Sequence, residues 1–83
     1  MALVEDQLVF IDRTVYGTDG SESVRVNEPV LFKRQEAIEL PGGMYDRWWF
    51  IDASGNEDFI QGMAGHVDAP RTVEELFGFK PSL

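Results

Sequence analysis

Large apolar residues fall in short runs, alternating with polar ones in places, divided by glycine- and proline-containing breaks. Leu8-Val9-Phe10-Ile11, followed by Asp12-Arg13-Thr14-Val15-Tyr16, combines β-branched and aromatic side chains and reads as a strand. In the segment after it, Asp19-Gly20 can supply the positive φ angles of a tight hairpin turn. Residues 23–27 then alternate, with Val24 and Val26 on one face and Arg25 and Asn27 on the other. Pro29 cannot donate a ladder hydrogen bond, so it predicts a strand start, an edge or a bulge before Val30-Leu31-Phe32 resumes. Residues 33–40 include helix-tolerant side chains, but Ile38 and Leu40 alternate with Glu39, which favours an extended segment.

Pro41-Gly42-Gly43 is the strongest break in the chain. The most convincing strand follows it, over residues 44–52. Its alternation places Trp48 and Phe50 on one face and Trp49 and Ile51 on the other. A strand apolar on both faces is either central in a sheet or covered by a partner. Residues 53–56 form a turn, residues 57–61 return as a second hairpin arm, and Gly62, Gly65 and Pro70 mark a loop over 63–71. Thr72 opens a helix that reaches Phe77. Its hydroxyl and Glu75 make a capping box, Glu74 and Glu75 sit at the positive end of the dipole, and Gly78 ends it. The expected fold is one small β-rich domain over residues 1–83, with residues 1–6 a flexible N-terminus and a C-terminal helix over 72–78. Four or five antiparallel strands would form a small sheet or an SH3-like barrel. An open meander with the helix on one face ranks second.

Charge changes this picture more than length does. The 83 residues hold 15 Asp plus Glu against 7 Lys plus Arg, a formal net charge of −8, with no cysteine and one histidine. Residues 1–41 carry eight acids against four bases and residues 42–83 seven against three, so each half contributes −4. The acid therefore belongs to the whole surface and not to a tail. It weighs against direct nucleic-acid binding, which cations drive. The missing cysteines exclude a disulfide scaffold and leave little for a zinc site. Residues 1–7 show no signal-peptide pattern and no apolar run approaches a membrane span, so a cytoplasmic protein is expected.

Motifs for chemistry are weak. Asp52, Ser54 and Asn56 space oxygens as a calcium loop does, but Glu57 stands where the loop needs glycine and Met63 where it needs a bidentate acid. That segment reads as a hairpin turn. His66 and Asp68 are a loop pair with no second histidine or nucleophile. Pro41-Gly42-Gly43 lacks the lysine of a phosphate loop. Phe10-Ile11-Asp12 and Phe50-Ile51-Asp52 match over too few residues to make a repeat. No cofactor, metal or catalytic residue is expected.

Tyr45, Trp48 and Trp49 form the one concentration of residue types favoured at binding hot spots. The first expectation is thus a non-enzymatic, acidic protein-binding module. Its surface would join Tyr45, Trp48 and Trp49 to the neighbouring carboxylates Asp46, Asp52, Glu57 and Asp58, and meet a protein partner with a basic surface. The second is an inhibitor of a nucleic-acid-handling machine that mimics nucleic acid. The third is a homo-oligomeric structural protein, for which a homodimer would suffice.

Overall fold

The computed structural model describes residues 3–64 and 70–78. Five antiparallel strands and one short helix occur in the order β1 (Leu8–Gly17), β2 (Glu22–Leu40), β3 (Gly43–Ile51), β4 (Glu57–Met63), β5 (Arg71–Thr72) and α1 (Val73–Phe77). The strands make one sheet in which β2 follows β1, β3 follows β2 and β4 follows β3. β4 then returns to β1 through Tyr16↔Phe59 and Gly17↔Asp58. The pairing therefore runs back to its starting strand. β5 adds a short flank on β1 through Val9↔Thr72 and Phe10↔Arg71.

The 19-residue β2 makes this closure possible. Its first half pairs with β1 and its second half with β3, and Leu31 is the one residue in both registers, opposite Leu8 and Ile51. A strand that changes partner must bend, and two irregularities let it. On β1, Asp12 alone separates Ile11 (opposite Glu28) from Arg13 (opposite Arg25), whereas β2 places both Val26 and Asn27 in that interval. Asn27 takes the left-handed conformation this bulge needs, with φ of 48°. Further on, Phe32 faces Phe50 and Arg34 faces Trp49, which leaves Lys33 as an extra residue. Pro29 continues the strand opposite Phe10, two residues beyond Asn27.

Each bulge reverses which side chains point inward, because side chains alternate with a period of two. Val30 and Phe32 are buried. Unbroken alternation from them would bury Val26, Val24 and Arg34. The first bulge instead leaves Val24 at 76% and Val26 at 67% exposure and turns Arg25 inward. The second turns Arg34 outward beside Trp49.

The core comprises Val9, Ile11, Val15, Val30, Phe32, Trp48, Phe50 and Ile60. Phe50 and Ile60 are fully enclosed. The segment before β1 is held down: the Asp6 N–H donates to the Phe32 carbonyl and the Phe32 N–H to the Gln7 carbonyl, and Leu3 packs on the core. Leu3 and Asp6 belong to the segment over residues 1–6 expected as a flexible N-terminus. Lys33, freed by its bulge, reaches Asp6 at 2.6 Å.

The helix follows its sequence signals. The Glu75 N–H donates to the Thr72 hydroxyl, that hydroxyl bonds the Glu75 carboxylate, and Gly78 ends the helix at φ of 76°. Val73 reaches the interior and Phe77 meets Phe10 edge-on at 5.3 Å. A helix of five residues has little stability of its own and depends on this docking.

Two substitutions test the register and the core. Phe50→Ala should cost about 3–5 kcal/mol, measured by urea unfolding. Asn27→Val should cost about 1–2 kcal/mol relative to Asn27→Gly, because only glycine enters the left-handed region without penalty.

Candidate functional site

Two polar arrangements follow from the bulges, one at an end of the sheet and one on its outer face. At the end, Arg25 meets three carboxylates. It bonds Glu28, reaches Asp58 at 2.7 Å and Asp52 at 3.2 Å, and its guanidinium lies 5.7 Å from the Phe50 ring centroid. Asp52 also shapes the β3–β4 turn, because its Oδ1 accepts the backbone N–H groups of Ser54 and Asn56, both at 2.9 Å. The calcium-like spacing of Asp52, Ser54 and Asn56 is thus a hairpin turn closed on itself.

Charges crowded around one guanidinium shift one another. Burial pushes the Asp58 carboxyl up; Arg25 opposes this, but Asp52, Asp19 and Glu28 add to it, and the net displacement is upward. Burial also pushes Asp52 up, yet the N–H groups of Asn56 and Ser54, together with Arg25, outweigh it and hold Asp52 below its ordinary value of 3.8. Arg25 loses by burial and gains more from its carboxylates, so its proton is held more tightly than usual. Beside the cluster, a polar cleft of about 310 Å³ opens between the two hairpin turns and includes Gly17, Asp19, Ser21, Asn56 and Asp58 in its walls. Gly17 permits this approach, since a Cβ there would lie 2.7 Å from Ser21 Oγ and 2.8 Å from Asp19 Oδ1.

The outer face of β3 and β4 is aromatic. Trp49 lies opposite Phe59, with ring centroids 4.8 Å apart, and Tyr16 stacks on Phe59 at 5.4 Å across the β4–β1 closure. Two arginines cover the rings: Arg34 lies 4.5 Å over Trp49 and Arg47 lies 4.4 Å over Phe59. Arg47 Nε donates to Gln61 Oε1 at 2.6 Å, and Arg34 approaches Glu57 at 3.7 Å. Trp49 Nε1 is enclosed and has no hydrogen-bond partner among the described residues.

The seven residues expected to form one surface divide between several places. Trp49 and Glu57 lie on the aromatic face, and Tyr45 lies on the same side of β3, opposite Ile38 and Met63. Trp48 is 6% exposed and belongs to the core, which removes it from any partner surface. Asp46 shares the Trp48 side of β3, between Ala37 and Gly62. Asp52 and Asp58 are turned to Arg25 and do not ring the aromatic strand. Sequence reading missed Tyr16, Arg34, Arg47, Phe59 and Gln61. Three of these were within reach, because a β3–β4 turn over 53–55 puts Trp49 opposite Phe59 and Arg47 opposite Gln61. The His66 and Asp68 pair lies outside the described residues.

Comparison with known protein families, curated proteins and solved structures finds no match for this chain. Its function must therefore be sought in the geometry alone.

The ion cluster makes two predictions. Arg25→Met should destabilise by about 3 kcal/mol at neutral pH, the low end for stranding buried charge, and the deficit should shrink towards pH 3 as the carboxyls protonate. Asp52, held below 3.8, stays ionised to lower pH when folded than when unfolded. Its stabilisation is complete above that pH and lost as pH falls through the lowered value. Asp58 runs the other way: its raised value favours the fold at low pH, and that contribution is lost as pH rises. Urea unfolding of Asp52→Asn should thus show a deficit at pH 7 that closes below pH 3.8.

Proposed function

We propose that this chain is a non-enzymatic protein-binding module that engages its partner through the outer face of β3 and β4. The observation that carries the reading is the contiguous cluster Tyr16–Phe59–Trp49, packed on the side of the sheet away from the core and overlaid by Arg34 and Arg47. Tryptophan, tyrosine and arginine are the residue types most enriched at binding hot spots. A domain of this size buries its core with a thin margin. Three aromatic rings held outside that core are a large commitment of apolar area. Glu57 supplies a carboxylate at the rim of the same face. Asp52 and Asp58, by contrast, contribute to the fold through Arg25.

The test is comparative capture from a lysate of the source cell. Intact chain should retain a defined protein, Trp49→Ala should lose it by about tenfold or more in affinity, and Val24→Ala, altering an exposed valine on the β1–β2 hairpin, should retain it. Capture indifferent to Trp49→Ala would sink the reading. Circular dichroism and the Trp48 fluorescence band should be unchanged in both variants.

A further inference from the structure

The same face also bears on the chemistry of the partner, provided that it is a protein-binding surface. We propose that the partner presents an acidic segment, carboxylates flanking an apolar residue, to Arg34 and Arg47 across the Trp49–Phe59 pair. The sequence pointed the opposite way, to a basic partner, because it could not show which charges are already matched.

Arg25, Lys33 and Arg71 each meet carboxylates of their own chain. Arg47 does not: its Nε donates to the neutral Gln61, and no carboxylate lies within ion-pair distance of it among the described residues. Among the described residues Arg34 has one ion-pair contact, to Glu57 at 3.7 Å, between half-exposed side chains. Two weakly matched arginines thus share the aromatic face with Glu57 and with Glu36, which lies opposite Arg47 in the β2–β3 register without pairing to it. Held over rings, both guanidiniums are partly ordered and desolvated, and such a group keeps N–H groups that can take a carboxylate in a forked pair.

A single-stranded nucleic acid also combines anions with apolar rings, but the geometry favours protein. Two arginines neutralise few phosphates, the ring faces are already taken, and a long polyanion would run onto a surface whose net charge is −8. For a short acidic segment that charge matters less. At physiological salt, charges more than about 8 Å apart are largely screened from one another, while the forked contacts form at about 3 Å.

Selection from a random peptide display library on the immobilised intact chain tests this. Peptides retained by the intact chain and lost on Trp49→Ala should be rich in Asp and Glu around an apolar residue. A synthetic copy should lose about tenfold or more in affinity on Arg47→Glu, the size of one charge-assisted pair. It should lose less on Arg47→Lys, which keeps the charge and guards against misfolding as the cause. Trp49-dependent peptides that are neutral or basic would overturn the acidic partner and leave the protein-binding reading standing. Absence of any Trp49-dependent peptide would overturn both. A labelled oligothymidylate that binds the intact chain and is released by Arg47→Glu would overturn the proposal in favour of nucleic acid.

Discussion

The register of β2 is the constraint on which the rest of the molecule depends. One strand pairs with β1 and then with β3, exchanging partners at Leu31. It can do so because two bulges, at Val26–Asn27 and at Lys33, bend it and reset its alternation. Without the first, Val24 and Val26 would lie inside and Arg25 outside. Without the second, Arg34 would point inward instead of lying on Trp49. The inward turn of Arg25 and the outward turn of Arg34 are therefore products of local backbone geometry in a single strand.

The bulges place charge where the fold can accommodate it only in combination. An arginine turned inward beside Phe50 would carry a large desolvation cost if left alone. Glu28, Asp52 and Asp58 offset that cost, and they come from β2, the β3–β4 turn and β4. The cluster joins the first hairpin to the second at the end where β4 returns to β1. It also explains why a net charge of −8 misleads about local surfaces. Several of the acids counted in it are matched inside the molecule, whereas the outer aromatic face displays arginine.

That outer face shows stability and recognition using the same contacts. Tyr16 on Phe59 reinforces the β4–β1 closure, and the arginines shield rings that would otherwise be exposed apolar area. A guanidinium held over a ring in this way is partly ordered in advance, so a partner meets donors whose side-chain entropy is already reduced. The rings keep the closure tight and hold the arginines in position.

Much of this was legible from residue order. Alternation, the Asp19-Gly20 and Pro41-Gly42-Gly43 breaks, and the Thr72–Glu75–Gly78 signals determined the strands, turns and helix, because these depend on neighbours a few residues apart. The separation of Trp48 from Trp49 followed from the period of two, and the structure assigns Trp48 to the core. What residue order could not determine was the phase of β2, since nothing local marks Lys33 as extra and Pro29 only suggests a bulge among other irregularities. Nor could it bring Tyr16 to Phe59 or Arg25 to Asp52 and Asp58, contacts that exist only once the pairing closes. The sequence by itself determined the elements and the total charge. The tertiary structure alone decided which side of each strand faces water, because a one-residue bulge reverses every side chain beyond it.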